Sequence, residues 1–141
     1  MKKEILRAIN KVLNSGKFIL GEELKAWEKE VANYYHKKYA IGVNSGTDAL
    51  LLSLKAIGIS EGDEVITTPF TFISPSEVIA QCGAKPVFAD IREKDFLIDP
   101  NEIEKRLDPL SAKVILPVHL FGQACDMKKI MAIAKKHKIH V

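Results

Sequence analysis

From Tyr39 onward, short apolar runs alternate with stretches of helical periodicity. The runs at 39–43, 64–68, 86–89 and 114–118 read as continuous apolar strands rather than as strict apolar–polar alternations. That is the pattern of strands covered on both faces. It calls for an α/β fold, a mostly parallel sheet with helices on both faces. Ligands of such sheets sit at the carboxyl ends of the strands. Three loops leave those ends, at 44–47, 69–72 and 119–123, and function is sought there.

The first loop follows Ile41 and Val43, which are strand formers, and is built from Asn44-Ser45-Gly46-Thr47. Leu50, Leu54 and Ile57 then recur as one helical stripe. Two readings stand side by side. Ser45 or Thr47 caps the helix, with Asp48 favouring its dipole. Alternatively the free amides of the first turn hold a phosphate, Gly46 letting the backbone come close. Asp48 counts against an anion there, because it already supplies negative charge.

The remaining punctuation predicts the other elements. Helices are expected over 3–14, closed by Ser15-Gly16, and over 22–36, with Leu24, Trp27, Val31 and Tyr34 or Tyr35 on a core-facing side. Lys17–Gly21 is too short for a dependable strand. Pro75 suits the first turn of a helix reaching Gln81, with Ser74 as its cap. Asp99-Pro100 starts a short helix to Leu107. Asp126 caps a helix with Met127, Ile130, Met131 and Ala134 on one face, and 139–141 begin a further strand.

Composition narrows the function classes. A 141-residue chain that is 47% hydrophobic can form one domain with an ordinary core. The net charge of +3, from 21 basic and 18 acidic residues, is mild and spread along the chain; it is a poor argument for nucleic acid, and no nucleic-acid partner is expected. Lys135-Lys136-His137-Lys138 reads as a solvated helix end. No run has transmembrane length. The amino end opens like a signal peptide, but Glu4, Arg7, Asn10 and Lys11 break any apolar stretch, so the expectation is a cytoplasmic protein with no membrane partner. Cys82 and Cys125 read as reduced thiols in or near the core. No metal site is expected: His119 and Cys125 lack a second pair, and His137 and His140 straddle a helix–strand junction. Nucleophile-elbow and Walker motifs are absent.

Several segments together resemble the DegT/DnrJ/StrS family of sugar aminotransferases: Asn-Ser-Gly-Thr-Asp-Ala-Leu at 44–50, Gly-Asp-Glu-Val-Ile-Thr at 62–67, Thr-Phe-Ile-Ser at 71–74, Gly-Ala-Lys-Pro-Val-Phe-Ala-Asp at 83–90 and Pro-Val-His-Leu-Phe-Gly-Gln at 117–123. The segment Gly16–Gly21 is similar to the family's entry segment, so the resemblance covers essentially the whole chain. It implies the amino-terminal part of a fold-type I enzyme's large domain at 39–141, preceded by a helical segment at 1–38. It further implies pyridoxal 5′-phosphate, a homodimer, and amino transfer from glutamate or glutamine to a keto-sugar nucleotide. Gly46 and Thr47 would hold the cofactor phosphate, Phe72 would stack on its ring, and His119 and Gln123 would stand at the mouth of the site. Pro75 departs from the small polar residue more usual there. The ring-nitrogen aspartate and the Schiff-base lysine are expected beyond residue 141, so no catalytic residue is assigned within the chain and the chain alone is expected to be inactive. In that family the strand at 39–43 lies at a sheet edge and pairs with a later strand. Two rivals remain: a flavodoxin-like domain binding a phosphate-bearing ligand, with 39–43 between 63–68 and 113–117, and a non-catalytic regulatory or interaction protein that keeps the fold.

Overall fold

The computed structural model describes residues 2–141; Met1, which opens the amino-end stretch discussed above, lies outside the described residues. The chain divides into two compact units, Met1–Asn44 and Ser45–Val141.

The first unit holds α1 (Lys2–Ser15) and α2 (Glu22–Tyr34). Ser15 closes α1 by donating to the Val12 carbonyl at 2.8 Å, and Gly16 supplies the left-handed φ of 66° that ends the turn. No residue of α1 is buried, and Ile5, Leu6, Ile9 and Leu13 all lie exposed. The core face expected on α2 is mostly exposed as well. Ala32 is its buried residue, Leu24 and Val31 are half-buried, and Trp27, Tyr34 and Tyr35 are exposed. Helical spacing decides which side is apolar, but burial requires an element packed on that side. The strand expected over 39–43 does not form: these residues have no ladder partner among the described residues. Their backbone is held instead by a side chain, with the Gly42 amide donating to Glu28 Oε1 at 2.7 Å. Strand propensity describes fit to a neighbouring strand, and without that neighbour it leaves only irregular chain.

The second unit is built on three parallel strands, β1 (Glu64–Thr67), β2 (Lys85–Phe88) and β3 (Ala112–Ile115), in the order β2-β1-β3. His140 continues the sheet beyond β3 through a parallel bridge to Val114. Tyr39–Val43 therefore does not stand between 64–67 and 112–115, as the flavodoxin-like arrangement requires. β3 starts and ends earlier than the expected 114–118, and Pro117, which has no amide proton, lies beyond its end.

Side chains alternate across the pleat, so adjacent residues of one strand feed opposite cores. Val65 and Val114 join Leu54, Ile59, Val78, Ile79 and Ala84 beneath α3 (Gly46–Ala56) and α4 (Ser74–Gln81). Ile66 and Ile115 join Leu97, Ile98, Ile103, Ile130 and Ile133 beneath α5 (Pro100–Arg106) and α6 (Met127–His137). This is the expected α/β fold with helices on both faces. Two helical stripes differ in detail. Ile57 is the C-cap of α3 and lies exposed, because the helix stops at Ala56. On α6 the buried set is Ile130, Ile133 and Ala134, with Met131 exposed, so the helix is turned slightly from the expected face. Asp99 caps α5 by accepting from the Asn101 amide at 2.9 Å, and Asp126 caps α6 by accepting from the Lys129 amide at 3.2 Å.

Ile66 is fully buried, and Ile66→Ala should cost about 2–5 kcal/mol of stability, read from the denaturant midpoint. Outside the core, Lys136 of α6 pairs with Glu104 of α5. The hydrogen bond from Lys136, and then its charge, hold the Glu104 carboxyl below its ordinary value. A carboxyl lowered in this way adds stability above its unfolded pKa and loses it as pH falls through the folded one. In Lys136→Met the Glu104 carboxyl should titrate closer to its ordinary range, a shift that carbon-13 carboxyl NMR would record. An unchanged midpoint would mean the pair does not act in solution.

Candidate functional site

A cavity of about 430 Å³ opens at the carboxyl edge of the sheet, in the Ser45–Val141 unit. Its lining brings together the start of α3 (Gly46, Thr47), the loop after β1 (Thr71, Phe72), the start of α4 (Ser74, Pro75) and the segment after β3 up to His119.

At the start of α3 the capping reading is realised by Ser45 and leaves two amides over. Ser45 is the N-cap, its Oγ accepting from the Asp48 amide at 3.0 Å, while the Ala49 amide reaches the Ser45 carbonyl. That satisfies the third and fourth amides of the helix. The Gly46 and Thr47 amides, the first two, meet no protein acceptor among the described residues. The Asp48 carboxylate accepts from Ser45 Oγ at 3.0 Å and is not part of the cavity lining. The cap thus uses the third and fourth amides and leaves the first two, and the Asp48 carboxylate is hydrogen-bonded to Ser45 beside the cavity. A Cβ built on Gly46 would meet nothing within 4 Å. Neither a neighbour nor a left-handed φ demands glycine there; what a side chain would intrude on is the cavity itself.

Thr47 Oγ1 lies 2.8 Å from Ser74 Oγ, a hydrogen bond joining the first turns of two helices 27 residues apart. Sequence reasoning gave Ser74 the N-cap of α4; that position belongs to Ile73, and Ser74 lies inside the helix with its side chain turned to Thr47. Propensity could not show this, because the signal is a pairing across sequence. Pro75 sits in the first turn of α4 as expected and brings no amide.

Phe72 is 74% exposed and lines the cavity, whereas Phe70 turns away and stacks on Phe96 at 5.6 Å between ring centroids. A second cleft, bounded by Phe70, Leu120 and Phe121, shares Thr71 and Phe72 with the first. His119 reaches the cavity, and its Nδ1 accepts from the Cys125 amide at 3.3 Å. The neutral ring then carries its proton on Nε2 and can donate there. Cys125 Sγ donates to the Val118 carbonyl at 3.1 Å, and burial pushes its thiol above the ordinary value, so it is inert rather than nucleophilic. Gln123 is exposed and outside the cavity lining, beyond a 3₁₀ turn over Leu120–Gly122 in which Phe121 takes a left-handed φ of 55°. Among the described residues no cluster of His, Cys, Asp and Glu could hold a metal, and no helix is long and apolar enough to cross a membrane. Chemically, the arrangement offers amide and hydroxyl donors to an anion, an aromatic face to a flat ring and an imidazole donor at the lip.

Comparison with known proteins places this fold among fold-type I aminotransferases, matched over part of their chains. The chain belongs to the DegT/DnrJ/EryC1/StrS aminotransferase family, whose model matches residues 1–141. It is 46% identical over 141 residues to a pleiotropic regulatory protein of Geobacillus stearothermophilus, spanning all of this chain and 38% of that one. It is 43% identical to a UDP-N-acetyl-3-dehydro-alpha-D-glucosamine 3-aminotransferase of Acidithiobacillus ferrooxidans, with the same coverage. The crystal structure of Streptomyces venezuelae DesV in complex with a ketimine intermediate superposes with a TM-score of 0.94 at 40% identity, over 99% of this chain and 37% of that one. NtdA of Bacillus subtilis, with bound cofactor PMP, superposes at 0.92 and 40% identity, over 97% and 31%. The chain thus spans well under half the length of these relatives.

Because Phe72 contributes its ring to the cavity and not to the core, Phe72→Ala should cost well under the roughly 3–5 kcal/mol of a core phenylalanine. A full core-sized loss on denaturant melting would remove Phe72 from the site.

Proposed function

We propose that this chain is the amino-terminal portion of a pyridoxal 5′-phosphate-dependent aminotransferase acting on keto-sugar nucleotides. The observation that carries the reading is the pair of unpartnered Gly46 and Thr47 amides opening into a cavity walled by Phe72, in a chain matched end to end by the family. The helix dipole and free amides favour the cofactor phosphate, and the open space above Gly46 admits it. Phe72 fixes the plane of the ring and keeps water from one side. His119 offers its Nε2 proton at the mouth, and Gln123 stands further out. When bound, the cofactor supplies the electron sink for amino transfer. The ring-nitrogen carboxylate and the covalent lysine would come from sequence beyond these 141 residues, and the chain by itself would be inactive. Glutamate or glutamine would be the amino donor, and the active form a homodimer in the cytoplasm, in keeping with two free thiols.

The Geobacillus relative, a pleiotropic regulatory protein, favours a second reading, a regulatory protein that keeps the fold and a dimer surface without activity. One titration separates the two. Adding inorganic phosphate should move the Gly46 and Thr47 amide resonances more than any others. If the largest shifts fall in the 128–138 region the corner is only a capped helix, and a dimer with no phosphate response supports the regulatory reading.

A further inference from the structure

We infer that Ser74 is a positioning residue for anion binding, acting through Thr47; this rests on the phosphate reading of the α3 corner. Ser74 is 6% exposed, and its hydroxyl has one hydrogen-bond partner among the described residues, Thr47 Oγ1 at 2.8 Å. The surrounding backbone offers it no competition. Pro75 has no amide, and the Ser76 and Glu77 amides are both taken by the Ile73 carbonyl. The Ser74 side chain is thus how α4 contributes to the polar end of the cavity.

Proton counting gives the pair its function. Two hydroxyls bring two protons, and one of these lies between the oxygens in their mutual hydrogen bond. One proton is left to donate elsewhere, and an ionised phosphate accepts only. With Ser74 donating to Thr47, the Thr47 proton is released toward the anion, beside the Gly46 and Thr47 amides. With the order reversed, Thr47 presents a lone pair to the anion, which is repulsive. A bound phosphate therefore selects the order Ser74 to Thr47 to anion. Ser74 also fixes the Thr47 rotamer across the two helix starts. The corner then presents three donors on one residue pair, two amides and one hydroxyl, to a phosphate monoester or inorganic phosphate.

A double-mutant cycle read by phosphate titration of amide resonances tests this on the chain itself. Ser74→Ala should weaken inorganic phosphate binding about two- to ten-fold, the worth of one ordinary hydrogen bond. The same change in a Thr47→Ala background should have no further effect, because Ser74 has lost the group it acts through. Ser74→Thr, which keeps the hydroxyl, should restore binding. If Ser74→Ala does not fold, Ser74→Cys takes its place, being close in size and a weak hydrogen bonder. Equal losses in both backgrounds would make Ser74 a direct ligand and overturn the inference. Unchanged affinity in Ser74→Ala, with or without altered melting, would reduce it to a structural contact and overturn it too. If phosphate leaves the Gly46 and Thr47 amides of the unmodified chain unmoved, the phosphate reading itself fails and the inference with it.

Discussion

Four residues of β1 hold the Ser45–Val141 unit together. Val65 and Ile66 are both fully buried, yet they point into different cores, one beneath α3 and α4, the other beneath α5 and α6. β1 is also the middle strand, parallel to both neighbours, so the loops that follow β1 and β3 leave from the same edge. At that edge Thr67 Oγ1 donates to the Leu116 carbonyl at 2.9 Å, tying the exit of β1 to the segment that runs on to His119. The cavity is a consequence of this geometry. Phe72 and His119 come from loops far apart in sequence and meet because one central strand aligns their exits.

Much of this was legible in the residues because the rules involved are local. Aspartate at 99 and 126 and serine at 45 mark helix starts through bonds to amides two or three residues away, and Pro100 suits the first turn it occupies. The apolar runs read at 64–68 and 114–118 reveal two-faced burial, since each strand carries its own record of both sides, although β3 itself is shifted to Ala112–Ile115. What stayed illegible depends on partners distant in sequence. Tyr39–Val43 has strand composition and no strand paired with it among the described residues. Trp27 has core spacing and lies exposed. Ser74 has the residue type of a cap and is recruited by a threonine 27 positions earlier. In each case the side chain's chemistry was read correctly, and its neighbour could not be.

The α3 corner shows how one short turn can be capped and still keep amides in reserve. A helix start has more orphan amides than a single cap can satisfy. Ser45 takes the inner ones through its side chain and carbonyl, and it also occupies the Asp48 carboxylate. The outer two are left facing the cavity. Capping therefore does not use up the helix start; it orders the turn from which the remaining amides project.

β2 lies at one margin of the sheet, and its inward hydrogen bonds run from alternate residues, Lys85 to Asp63 and Ala89 to Thr67. Pro86, opposite Val65, falls on the outward phase of that alternation, where it has no proton to give. Lys85 adds a charged side chain at the same margin, paired with Glu64 at 2.8 Å. This margin is poorly suited to recruiting another backbone. On the opposite side His140 already extends the ladder from β3. The sheet consequently has a direction of growth: further strands, from this chain or another, are guided to the His140 side and turned away at Pro86.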